Sequence, residues 1–192
     1  MGDQVSELRA ALQSRAPRRD APNGVPQAAV AALLAPARDD VDLLLIRRAE
    51  RDGDPWSGHM ALPGGRRDAV DRSLLRTVLR EVREELGVEL DEALLLGELD
   101  DLRPVTAPAR VVVRPFVFAV ATRPELVLSD EVAFGLWVGL RGLAASTGTT
   151  EVFHHGAVRT MPCYRAGDHV VWGMTQRILE PFLRLVAGTS AR

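Results

Sequence analysis

Residues 64–88 read GGRRDAVDRSLLRTVLREVREELGV, and the fold turns on how this stretch divides into a turn and a helix. Leu62-Pro63-Gly64-Gly65 marks a sharp turn. From Ser73 to Leu86 the apolar residues Leu75, Leu79, Val82 and Leu86 recur at helical spacing, and Gly87 supplies a C-terminal stop. On that helix Glu85 follows Glu81 by four positions and Glu84 follows it by three, so the spacing predicts all three carboxylates on one side, away from the apolar residues. Clustered anions repel one another, and a hard divalent cation relieves the repulsion. Carboxylate oxygens suit magnesium or manganese, which keep several waters and accept phosphate oxygens as further ligands. Taken alone, the helix could equally be a solvated face with charge pairs such as Arg80 with Glu84. Gly64-Gly65, one loop upstream, tips the reading toward a metal, because a bare backbone there lets a carbonyl approach a held cation.

Upstream of the turn, Arg47 to Met60 is polar and rich in Asp, Gly and Pro, the pattern of a long exposed loop with a functional use. Before it, the apolar runs Ala28–Leu34 and Val41–Ile46 form an expected strand pair broken at residues 36–40. Residues 4–15 read as a short amphipathic helix with Val5, Leu8 and Leu12 on one face. Pro17, Pro22, Gly24 and Pro26 then read as a linker, so residues 1–26 are expected to be an appendage and 27–188 the domain. Downstream, strand-like runs lie at Leu94–Leu99, Val111–Ala121 and Val132–Val138. Further short strands are expected over Thr150–Trp172, around turns at Gly156 and Gly167, before a last helix from about Gly173 to Val186. Strands alternating with two such helices imply an α/β domain with helices packed on a mixed sheet.

The 192 residues fit one decorated domain, and the near-neutral net charge of -2 offers no basic footprint for nucleic acid or for a membrane surface. No apolar stretch is long enough for a membrane span, and the N-terminus lacks the apolar region of a signal peptide. A single cysteine, Cys163, excludes an internal disulfide framework and suits a reducing compartment, so a cytoplasmic protein is expected. Between Pro162 and Tyr164 it reads as a small packed hydrophobe rather than a nucleophile. His154-His155 carries no zinc-like spacing, since neighbouring residues of a strand point to opposite faces.

The stretch Arg80-Glu81-Val82-Arg83-Glu84-Glu85-Leu86-Gly87-Val88 resembles the second half of the Nudix signature, G-x5-E-x7-R-E-U-x-E-E-x-G-U with U aliphatic. The first half departs from it. Counting from Gly65, Asp71 stands where the pattern has Glu, and eight residues rather than seven separate it from Arg80. The resemblance implies a Nudix-type α/β/α sandwich with a mixed β-sheet and a loop-helix catalytic motif, and hydrolysis of a pyrophosphate bond. It also implies Glu81, Glu84 and Glu85 as ligands of magnesium or manganese, with the Gly64 carbonyl as a further ligand and Arg80 orienting the carboxylates. A metal of this kind activates water and stabilises charge on the leaving phosphate. Glu81 is one candidate for the base that takes the proton of water. Glu131, just before a strand, is the reserve, and as a loop-end residue it reads equally as a solvated charge.

Leu44-Leu45-Ile46-Arg47-Arg48-Ala49 and Gly58 to Gly65 further resemble the two ends of the motif of coenzyme A pyrophosphatases, as does Val171-Trp172-Gly173-Met174-Thr175. The middle of that motif is one residue too long, with Asp54 where Arg is required and Arg51 as its substitute after a shift. The substrate implied is a small-molecule nucleotide: coenzyme A or its thioesters, split into adenosine 3′,5′-bisphosphate and 4′-phosphopantetheine or its acyl form. Alternatives are a nucleoside diphosphate-sugar such as ADP-ribose, a nucleoside triphosphate, and a non-catalytic nucleotide-sensing module. Arg47, Arg48 and Arg51 are candidates for phosphate contacts by bidentate hydrogen bonds, or else solvate a polar loop. Trp56 either stacks on a base or anchors the loop. No nucleic acid or membrane partner is expected, and a homodimer is left open.

Overall fold

The computed structural model describes residues 2–20, 24–53, 56–104, 111–154 and 157–189. The two apolar runs form β1 (Gln27–Pro36) and β2 (Val41–Arg48), antiparallel with Leu34 opposite Leu43. The run after residue 111 forms β6 (Val112–Ala119), parallel to β1 along its whole length, and β5 (Leu95–Glu98) pairs antiparallel with β6. On the far side β7 (Val132–Gly139) is antiparallel to β2. Two short strands absent from the sequence reading, β3 (Met60–Ala61) and β4 (Gly64–Arg66), complete a mixed sheet of seven strands among the described residues.

Both faces of the sheet are covered, as its continuous apolar strands require. Ala29, Ala31, Leu33, Leu44 and Ile46 face α2 (Leu74–Leu86), which buries Leu74, Val78, Val82 and Leu86 against them. Ala32, Leu34, Leu43 and Leu45 face α4 (Gly173–Thr189), through Ile178, Leu179 and Phe182. The expected α/β/α sandwich is therefore the architecture found. A short α3 (Leu140–Ala145) follows β7, and an antiparallel sheet of β8 (Gly148–His154), β9 (Ala157–Ala166) and β10 (His169–Trp172) precedes α4. Cys163 is buried there. His155 and Gly156 lie outside the described residues, as does Asp54.

The N-terminal helix, α1 (Gly2–Gln13), corrects the expectation of an appendage. Leu8 and Leu12 are 4% and 2% exposed and belong to the same core as α4, and Leu12 packs against Gly97 of β5. Burying a leucine contributes roughly 1.5–3 kcal/mol, so the helix is held by more than tethering. Arginines after it secure the chain to the end of β5: Arg15 and Arg18 bind Asp100 at 2.6 and 2.8 Å, and Arg19 binds Glu98. The three apolar residues of α1 needed the sheet to show what they cover. Among the described residues no helix is long and apolar enough to cross a membrane.

Candidate active site

The site forms where the central sheet splits. Since β6 occupies one edge of β1, β2 and β4 share the other, pairing respectively with residues 34–36 and 28–30. The chain from 60 to 66 fills the gap between the diverging strands, first as β3 beside β2 and then as β4 beside β1. The Pro63 carbonyl between them accepts from Ala31 N–H at 2.8 Å. Glycine is required at the first of the next two positions, and at the second it leaves room for a carboxylate. Gly64 has φ of +140°, and a Cβ there would fall 2.2 Å from the Ala29 carbonyl oxygen. A Cβ on Gly65 would fall 2.6 Å from the carboxylate of Glu81. The double glycine thus lets the carboxylate helix lie directly on the sheet opening.

Ser73 caps α2, its side chain accepting from Arg76 N–H, and Gly87 closes it by donating to the Arg83 carbonyl. The three glutamates do not share one exposed side, which corrects the helical-wheel expectation. Glu85 is 4% exposed, because it follows Val78 by seven and Val82 by three residues and so lies on the buried face. Its Oε2 accepts from Gly64 N–H at 2.8 Å. Glu81 is intermediate, against Gly65, and Glu84 is half-exposed.

Arg80 organises this face. It bonds Asp71 through two nitrogens at 2.9 and 3.2 Å, Glu84 at 2.8 Å, Glu81 at 2.9 Å and the Arg66 carbonyl at 3.1 Å. Asp71 is buried, and the Arg80 hydrogen bond holds its carboxyl down at about 2. The residue that departs from the signature is therefore a fixed anion for Arg80. What singled it out was only the mismatch; its role required seeing the 66–73 loop fold back along the helix.

Glu131 reaches the same place from another element. Ser129 N–H donates to the Glu85 carbonyl, Ser129 Oγ accepts from Glu131 N–H, and the Glu131 carbonyl accepts from Ala49 N–H. These bonds hang the 129–131 turn between α2 and the end of β2. The Glu131 carboxylate pairs with Arg51 at 3.0 Å, both side chains about half exposed.

Burial raises the Glu81 carboxyl above its ordinary value against the opposing pull of Arg80, and Glu84 and Glu131 raise it further. Burial pushes Glu85 up to about 7 although Gly64 N–H opposes it, and the charges of Glu81 and Glu131 add to the rise. These groups carry more negative charge than the surrounding arginines offset. An all-oxygen set with excess negative charge fits a hard divalent cation. Among the described residues no three such side chains are already gathered as a metal cluster, since Arg80 engages Glu84 and Glu81.

The three candidate arginines are not one cluster. Arg48 acts electrostatically on Glu85, and Arg51 pairs with Glu131, but Arg47 binds Glu50 at 3.0 Å and sits opposite Phe134 and Met60, residues of the other core face. Trp56 lies in the loop, its carbonyl accepting from His59 N–H. Sequence reading missed the aromatic contacts of His59 with Trp172 and of Phe134 with His169, which join segments more than 30 residues apart.

The NUDIX domain family model matches residues 25–154. Human mitochondrial coenzyme A diphosphatase NUDT8 is 35% identical over 167 residues, covering 83% of this chain and 69% of that protein. A Schizosaccharomyces pombe protein is 40% identical over 108 residues, 53% of this chain, which spans only about a third (32%) of that relative's length. The fold is similar to that of a MutT/nudix family protein from Enterococcus faecalis, with a TM-score of 0.61, 22% identity, and coverage of 95% of this chain and 69% of that one. With more than half of its length matched and the sheet, loop and helix arranged accordingly, the chain belongs to the Nudix hydrolase family.

Proposed function

We propose that the protein hydrolyses the pyrophosphate bond of coenzyme A or its thioesters with magnesium, manganese being an alternative, as the cofactor. Water adds to one phosphorus and the P–O–P bridge breaks, giving adenosine 3′,5′-bisphosphate and 4′-phosphopantetheine or its acyl form. The observation that carries the reading is the 35% identity over 83% of the chain to the human protein named a coenzyme A diphosphatase. The anion-rich opening of the sheet supports the chemistry.

Glu81, Glu84, Glu85 and the Gly64 carbonyl would hold the cation, which when bound neutralises the diphosphate and acidifies water. Arg80, anchored by Asp71, keeps Glu81 and Glu84 oriented. Glu81 is the first candidate for the proton acceptor and Glu131 the second, each on a different element bordering the site. Arg48 and Arg51 lie on the carboxylate side and are suited to the diphosphate oxygens. The substrate is a small nucleotide, and the buried lone cysteine suits the cytoplasm as the proposed location.

The test is product analysis after incubation with magnesium and, in parallel, coenzyme A, ADP-ribose and nucleoside triphosphates. Release of adenosine 3′,5′-bisphosphate, faster than any other turnover, is expected. Selective cleavage of another member discards the substrate but keeps the chemistry, and no cleavage of any member discards both.

A further inference from the structure

Between β6 and β7 the chain runs from Val120 to Glu131 without helix or strand. None of its residues from Ala121 to Glu131 is buried, so this strap has no core of its own to hold it. Its anchors are discrete contacts. Arg123 pairs with Asp42, near the start of β2, and its guanidinium carbon lies 5.8 Å from the centre of the Trp137 ring in β7. Farther along, Leu126 lies against Gly135 of β7, where a Cβ would fall 2.6 Å from the leucine Cδ1. Val127 N–H then donates to the Leu86 carbonyl at 2.8 Å, and Ser129 N–H to the Glu85 carbonyl at 3.0 Å. The end of α2 leaves such carbonyls without a partner of its own.

The strap ends on Glu131, whose charge acts on both Glu81 and Glu85. Asp42 and Arg48 stand near opposite ends of β2, so the Arg123 anchor is roughly 20 Å from the sheet opening at the ordinary rise of a strand. A segment with so little buried surface opens locally at small cost, and each anchor removed raises the open fraction. The Asp42–Arg123 pair differs from an ordinary surface pair because its acid is only 4% exposed. Opening the strap at this end leaves that buried charge without its guanidinium, which opposes the opening. The proposed hydrolysis gives neither residue a part.

We propose that Asp42 and Arg123 are positioning residues: their ion pair pins the strap along β7 and so holds the Glu131 carboxylate at the sheet opening. The inference rests on the reading of Glu131 as a proton acceptor in the proposed hydrolysis, and it assigns what keeps that group in place.

Hydrogen exchange of the full chain tests the pin without turnover. In Arg123→Ala the amides of Val127 and Ser129 are expected to exchange about five- to tenfold faster. The amide of Ala31, bonded to the Pro63 carbonyl in the central sheet, should keep its rate. Asp42→Asn, which leaves no buried charge and so safeguards the fold, should show the same pattern. Unchanged exchange at Val127 and Ser129 in both variants, or a rise shared equally by Ala31, overturns the proposal. With coenzyme A, Arg123→Ala should lower kcat about three- to tenfold and leave KM unchanged, because a displaced proton acceptor slows the chemical step. In a Glu131→Gln background the same substitution should lower kcat no further, although it still lowers the melting temperature. Additive losses of kcat, or full turnover by Glu131→Gln, overturn the action through Glu131. If no substrate of the panel is cleaved, the proposed hydrolysis fails by itself, and exchange still decides the pin.

Discussion

Two acidic regions of this molecule have opposite electrostatics. Asp100 and Asp101, after β5, are matched by guanidinium groups: Arg15 and Arg18 on Asp100, and Arg114 on Asp101 at 2.8 and 2.9 Å. Burial alone would raise both carboxyls, but Arg18 and Arg114 overcome it, and both lie below the usual carboxylate range. At the sheet opening Glu85 is buried and Glu81 partly so, and burial raises both carboxyls although Arg80 opposes it at Glu81 and Gly64 N–H opposes it at Glu85. Where acids serve only the fold, the chain supplies their counter-charges. At the sheet opening burial leaves two carboxyls raised, which is the setting of the proposed metal ion.

The largest effect should come from Glu81→Gln. A fall in kcat of about 10²–10⁴-fold is expected, with an unchanged circular dichroism spectrum; full activity would remove Glu81 from the site. Glu85→Gln sharpens the comparison through pH. Its carboxyl, raised to about 7 from 4.5, binds a proton more tightly in the folded chain than in the unfolded one. The resulting stability is complete below pH 4.5 and is lost as pH rises through about 7. Chelator-treated protein should therefore melt lower at pH 8 than at pH 5 through this group, and Glu85→Gln should recover part of that loss, by roughly 2–4 °C for each kcal/mol. Magnesium should raise the melting temperature of the unmodified protein more than that of the variant. A variant that melts below the unmodified protein at pH 8 without metal would contradict the cost of burying the Glu85 charge.

Leu12→Ala should destabilise the fold by about 2–5 kcal/mol in urea titration, because it empties the contact of α1 with β5. A change below about 0.5 kcal/mol would restore the appendage reading. Asp101→Asn breaks the matched cluster and should cost about 1.5–3 kcal/mol, with kcat/KM unchanged. In the unmodified protein the contribution of Asp101 is present above the ordinary carboxylate range and is lost as acid protonates it, the reverse of Glu85. The smallest effect is expected from Arg18→Ala, within about 1 kcal/mol, since its side chain is 87% exposed.

The carboxylate helix was legible because a 13-residue helix with a serine before it and a glycine after it repeats its apolar positions within one local stretch. The strands β1, β2, β6 and β7 were legible as apolar runs. β3 and β4 were not, being too short to show a period; only the divergence of β1 from β2 creates the edges they pair with. Arg80 and the glutamates could be named from spacing, but spacing misjudged Glu85, which a wheel places near Glu81 and the core places near Val78 and Val82.

Sequence alone determined the helix, the glycine turn beneath it, the main strands and the residue types that suit a divalent cation and a phosphate, because these depend on period, conformational freedom and donor chemistry within a few residues. Tertiary structure decided that α1 belongs to the core, that Asp71 secures Arg80, that Glu131 borders the site and that Arg47 and Arg48 divide between the two sheet faces. Each depends on contacts between distant segments, whose distance and burial emerge only when the sheet brings them together.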